Sequence, residues 1–151
     1  MAYINSDYNV NSIIKFENIQ QINSGNMNGM KSGGMIMAIE ENGAAEIENY
    51  YAENLINHYS SGAAFILTNI ASLTVRNLEI NKLKGKAVEG LLLNTFNSKG
   101  VTFNAYNFTL NDFHQESVTT SAALLWLEEN TNVYIEDGRM LNFQGYNTQL
   151  V

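Results

Sequence analysis

At 151 residues and 45% hydrophobic, the chain has the length and apolar content of one domain with a continuous core, which argues against disorder. The absence of cysteine removes disulfide scaffolds, thiolate metal sites and cysteine nucleophiles together. A formal net charge of −7, with only Arg76, Arg139 and the lysines on the positive side, gives nucleic acid or an anionic membrane surface little to hold.

Charged residues make up only 15%, so the polar load falls on Asn, Ser, Thr and Gln. That bias favours turns and side-chain ladders over helix surfaces. Proline is absent, which suits a backbone whose amides are committed to sheet ladders. No apolar run reaches the roughly 20 residues of a membrane helix, so this segment is not expected to insert in a membrane. The N-terminus lacks the basic-then-apolar pattern of a signal peptide, and an export signal, if one exists, lies outside this sequence.

In chain order, a first copy of a repeat opens at Tyr3, YINSDYNVNSIIKFEN, and keeps mainly the second half of the pattern. Four blocks then align without gaps over sixteen positions: GMIMAIEENGAAEIEN from Gly34, GAAFILTNIASLTVRN from Gly62, GLLLNTFNSKGVTFNA from Gly90 and AALLWLEENTNVYIED from Ala122, with starts 28, 28 and 32 residues apart. Each block begins with a dense apolar run, turns a polar corner and continues as a second strand of strict alternation. The inward positions of that second strand are Ile14 and Phe16, Ala45 and Ile47, Leu73 and Val75, Val101 and Phe103, Val133 and Ile135. Between them stand Lys15, Glu46, Thr74, Thr102 and Tyr134, a period of two with one wet face.

Two positions after the last inward residue come Asn18, Asn49, Asn77, Ala105 and Asp137. Asn and Asp tolerate the left-handed conformation and bond across stacked turns, so this column reads as a corner ladder of Asn18, Asn49, Asn77 and Asp137. A third, less regular apolar segment follows each corner. An antiparallel sandwich or barrel has no reason to repeat one sixteen-residue order, whereas a solenoid stacks equivalent positions directly. A leucine-rich solenoid is the next alternative, but its Leu and Asn spacing is missing. The expected fold is all-β, a right-handed parallel β-helix of about five coils, 28–32 residues and three short strands each, spanning 1–151 as a single segment of a larger chain or assembly.

The small-apolar strand opening each coil, the T-V-R-N and T-F-N second strands and the Asn corner resemble right-handed parallel β-helices of the pectin-lyase-like superfamily, and within it the noncatalytic Asn-rich repeats of large surface proteins. The resemblance spans nearly the whole chain. It implies an extracellular or cell-surface location and a structural role, while the superfamily's lyases, hydrolases and adhesins keep carbohydrate binding or cleavage as the alternative.

Little chemistry stands out. Glu46 and Glu48 lie about 7 Å apart along one strand, yet their coil neighbours Thr74, Arg76, Thr102 and Asn104 make a solvated, cross-paired face the better reading than a catalytic carboxylate pair. Asp7, Asp112 and Asp137 are scattered over different corners, so no calcium cradle is expected. Acidic corners at Glu40–Glu41 and Glu128–Glu129 read as solvated. His58 and His114 lack the spaced partners of a metal site or a triad. The glycine-containing stretch from Asn23 to Gly34 has no phosphate-loop ending. No cofactor, metal site or catalytic residue is expected. Asn107-Phe108-Thr109 is a sequon, glycosylated only in a secreted chain with Asn107 facing out.

The first strand is apolar on both faces. With Met35, Met37, Ile39, Phe65, Leu67, Leu91, Leu93, Leu125 and Leu127 inward, the outward row contains Ile36, Ala64, Ile66, Leu92, Leu124 and Trp126. Either a chain segment covers this row or the inward register differs, or the row is an interface for a protein partner or a second copy, lateral or end to end.

Overall fold

Two kinds of strand alternate along the chain, short apolar ones and long bent ones. The computed structural model describes residues 2–6, 13–25, 35–58, 64–86, 90–96, 99–116, 122–128, 130–146 and 148–149. The strands are β1 (Ala2–Ser6), β2 (Ile14–Ser24), β3 (Met37–Glu41), β4 (Ala44–His58), β5 (Phe65–Thr68), β6 (Ser72–Lys86), β7 (Gly90–Phe96), β8 (Val101–Glu116), β9 (Ala122–Trp126), β10 (Thr131–Leu141), β11 (Gln144–Tyr146) and β12 (Thr148–Gln149). The short strands stack in the order β1-β3-β5-β7-β9-β12, the long ones in the order β10-β8-β6-β4-β2, and β11 extends the last rung beside β8. Each strand pairs in parallel with the equivalent strand of the next coil, which makes the fold a parallel β-solenoid. Among the described residues there is no helix.

Strands β2, β4, β6 and β8 run through both bends because their corners cost one residue each, while the outermost rung breaks at the second bend between β10 and β11. Asn18, Asn49, Asn77, Asn107 and Asp137 occupy the left-handed region at the first bend; Asn23, Asn54, Lys82, Asp112 and Asn142 do so at the second, five residues later, with φ between 52° and 62° throughout. A single left-handed residue reverses the side-chain alternation without interrupting the ladder on either side. The second and third strands expected in each coil therefore merge into one 15-residue strand in β4 and in β6.

Stacking places like on like. Ile14, Ala45, Leu73, Phe103 and Val133 form one inward column, and Phe16, Ile47, Val75, Ala105 and Ile135 the next. Beyond the first bend run Ile19, Tyr50, Leu78, Phe108 and Gly138, then Gln21, Ala52, Ile80, Leu110 and Met140. The core cluster draws on these columns and on the inward side of the short sheet, where Phe65 packs its ring 5.7 Å from that of Phe103. Each fully buried Leu, Ile or Phe contributes roughly 1.5–3 kcal/mol.

The gap-free alignment of the fourth coil is corrected. Phe65 and Leu73 are separated by 8 residues, but their stacked partners Leu93 and Phe103 are separated by 10. The two extra residues fall in the corner before β8, where Gly100 takes φ +96°, a conformation that suits glycine alone. Phe103 and Ala105, not Val101 and Phe103, therefore sit over Leu73 and Val75, and the corner residue is Asn107 instead of Ala105.

Candidate interaction surfaces

The first-bend corner is a side-chain ladder with a direction. Asn49 Nδ2 donates to Asn18 Oδ1 (3.1 Å), Asn77 Nδ2 to Asn49 Oδ1 (2.9 Å) and Asn107 Nδ2 to Asn77 Oδ1 (2.8 Å), each rung donating to the one before it. Asp137 completes the column but has no amide to donate to Asn107. The sequon asparagine Asn107 is exposed, and its amide nitrogen is the donor of this ladder, so a glycan there would compete with a stacking bond.

The second bend carries a broken copy of the same device. Asn54 Nδ2 donates to Asn23 Oδ1 (2.8 Å), and Asn142 Nδ2 donates to Asp112 Oδ1 (2.9 Å). Between these two fragments stands Lys82, at φ 62°. A lysine offers no acceptor to continue the ladder, and a side chain other than Asn or Asp in the left-handed region costs on the order of 1 kcal/mol. Sequence reading missed this second ladder. Its signal was the recurrence of Asn or Asp five residues after the first corner.

The stripe expected on the short strands is not a solvent-facing row. Ile36, Ala64, Leu92 and Leu124 are buried members of the main core. For Leu92 the reason is a register irregularity between Gly90 and Leu93, a β-bulge that lets Leu91, Leu92 and Leu93 all enter the core. For Ile36 and Ala64 it is position: both precede the first regular residue of their strands, where Ala64 O accepts from the amides of both Ile36 and Met37. Ile66 does point outward, in the column Tyr3, Ala38, Ile66, Asn94, Trp126, but it is 7% exposed and joins Met35, Ala38 and Phe96 in a second small cluster. Met35, expected inward, thus belongs to the outer side, and Trp126 is half-buried. Leu127, expected inward, is 37% exposed.

Among the described residues, most of the exposed large apolar side chains lie instead on the outermost long strands. On β2, Ile14, Ile19 and Ile22 are 44%, 36% and 50% exposed; on β10, Ile135, Met140 and Leu141 are 40%, 40% and 53% exposed. Beside β10 opens an apolar cavity of about 470 Å³ lined by Leu92, Phe108, Leu125, Ile135, Gly138 and Met140. Gly138 lets the Phe108 ring pack against the backbone of β10, since a Cβ there would come within 2.5 Å of that ring.

A second groove, about 440 Å³, follows the broken ladder between Lys82, Lys84, Asp112, His114, Asn142 and Gln144. Lys84, His114 and Gln144 are stacked in register, and His114 Nδ1 lies 3.3 Å from Gln144 Oε1. Neither Lys82 nor Lys84 is in an ion pair among the described residues.

On the alternating face, Glu46 is salt-bridged to Lys15 at 3.1 Å, and the Arg76 guanidinium sits 4.5 Å above the Tyr106 ring. Tyr50, buried in the core, donates its phenol to Gln21 Oε1 at 2.6 Å, and burial pushes its pKa up to about 12. The Tyr134 phenol is also raised, by its hydrogen bond and proximity to Glu136. Among the described residues no three His, Asp or Glu side chains gather as metal ligands, and no helix is long and apolar enough to cross a membrane. The first residues of two repeat blocks, Gly34 and Gly62, together with Asp7, Glu129 and residues 26–34 of the glycine-containing stretch, lie outside the described residues. Comparison with protein families, curated proteins and solved structures finds no match to this chain.

Proposed function

We propose that this solenoid is a structural and interaction module of an extracellular or cell-surface assembly, and that it associates end to end with a second copy through its outermost long strands. The observation that carries the reading is the exposure, among the described residues, of the core-column residues Ile14 and Ile19 on β2 and Ile135 and Met140 on β10, with Ile22 and Leu141 beside them in one outward column. Set β2 of one copy on β10 of another and Ile14 meets Val133, Phe16 meets Ile135 and Ile22 meets Leu141, while Ile19 falls over Gly138 and the 470 Å³ cavity. The ladders continue in the same sense, since Asn18 and Asn23 bring free-facing donors to Asp137 and Asn142 oxygens. Such docking would displace the two-residue pairing of β12 on β9 and set against β9 the outer edge of β1, whose other edge pairs with β3. The surface location rests on the resemblance to Asn-rich surface repeats of the pectin-lyase-like superfamily.

Analytical ultracentrifugation tests the reading. The wild-type chain should gain mass with concentration, and Ile22→Lys with Ile135→Lys should hold it monomeric with an unchanged β circular-dichroism spectrum. A wild-type monomer at all accessible concentrations overturns end-to-end association. The proposed role includes no reaction; turnover of a polysaccharide that disappears in Glu46→Gln or Glu48→Gln would replace it with the enzymatic alternative.

A further inference from the structure

We propose that the groove between Lys82, Lys84 and the facing rungs binds a small hydroxylated anion, a sugar phosphate or a sugar acid. This site is separate from the outermost-strand surfaces and does not depend on end-to-end association.

The argument starts from a local anomaly. In a chain of net charge −7 holding eight cationic residues, three of them, Lys82, Lys84 and Lys86, fall within five positions of one strand. Lys82 takes the one second-bend position where the other four rungs carry Asn or Asp, and it does so in the left-handed conformation. Asparagine there would donate to Asn54 Oδ1 and suit the left-handed backbone, although Asp112 has no amide to donate to it in turn; lysine does neither, so it stands against the local stability of the corner. What the lysine does contribute is a positive charge at the rim of a groove of about 440 Å³.

The walls suit a particular ligand chemistry. Lys82 and Lys84, both exposed, form a cationic end on β6. Asp112 and His114 follow on β8, then Asn142 and Gln144 on the outermost rung, so about 10 Å separates the cationic end from the amide end. That is the length of a monosaccharide bearing one anionic group. The opposite wall is held in place by Asn142 donating to Asp112 Oδ1 and by His114 against Gln144. Amides and a carboxylate in fixed positions match hydroxyls, which both donate and accept, better than they match a second anion. A groove of this size is within the range of small-molecule sites.

Equilibrium titration of the full chain with glucose 6-phosphate, glucuronate, inorganic phosphate and glucose tests this, with a thermal melt of each variant alongside. Glucose 6-phosphate or glucuronate should bind in the millimolar range or tighter, and whichever binds more strongly identifies phosphate or carboxylate as the anionic group. Glucose and inorganic phosphate should each bind about tenfold more weakly, lacking one half of the match. Lys82→Asn should weaken binding by about tenfold while raising the melting temperature, because it adds a bond to Asn54 and suits the left-handed corner as it removes the charge. Lys84→Gln should weaken binding without that rise. Absence of saturable binding by both sugar anions overturns the proposal, as does a Lys82→Asn chain that is more stable yet binds unchanged.

Discussion

The inner and outermost long strands share one sequence pattern and end in opposite environments. Ile47, Val75 and Ala105 on β4, β6 and β8 are essentially without solvent, whereas Ile135, two rungs from Val75 in the same column, is 40% exposed. Alternation therefore tells which way a residue points, and only the presence of a rung on both sides tells whether it is buried. The same holds for the polar ladder: Asn77 both donates and accepts within its column, while Asp137 at the edge leaves Asn107 without a further donor.

Four measurements break or sharpen that contrast. The largest effect belongs to an inner aromatic: Phe103→Ala should lower unfolding free energy by about 3–5 kcal/mol in denaturant titration, against roughly 1 kcal/mol for Ile135→Ala. That small loss applies to the dilute monomer; at concentrations where copies associate, the Ile135→Ala loss should rise, as end-to-end association requires, and a loss independent of concentration would count against it. Next comes alkaline pH. The Tyr50 phenol is raised from 10.0 to about 12, so between these values the unfolded chain releases a proton that the folded chain keeps, and stability falls as pH rises by about 2–3 kcal/mol across that window. Below the lower value both states are protonated and the effect is absent. Tyr50→Phe should remove this part of the alkaline slope, measured as the difference between two pH–stability curves.

Smaller still is the loss of a ladder rung. Asn77→Ala removes two amide bonds and strains the left-handed corner, for about 1–2 kcal/mol, while Asn77→Gly keeps the backbone and should lose less. The Ala–Gly difference in chemical denaturation isolates the backbone part. Smallest, and of opposite sign, is Asp137→Asn: supplying the missing donor to Asn107 should raise stability by about 0.5–1 kcal/mol, and no gain would show that the edge rung is too loose to hold the bond.

Much of the fold was legible because a solenoid repeats its constraints. The second-strand alternation identified the inward columns of β2, β4, β6 and β10, and three asparagines and an aspartate marked the first corner. The fourth coil was misregistered because a two-residue enlargement of the corner before β8 is invisible to a gap-free alignment, and period-two alternation is satisfied equally by a shift of two. The short strands were harder for another reason. Both of their faces are apolar, so composition carries no inside or outside, and a single bulge at Gly90–Leu93 sends Leu92 inward against strict alternation.

The groove at Lys82 lies between these cases. The lysine cluster in an acidic chain was visible, but its meaning required the second bend to be recognised as a ladder that Lys82 interrupts. Sequence alone determined the repeat, the parallel stacking and the polarity of the alternating face, since each is a one-dimensional periodicity imposed on every coil. Tertiary structure decided which apolar residues are covered, which rungs are outermost and which side chains share a groove, because these depend on distances between coils that are about 30 residues apart in the chain and about 5 Å apart in space.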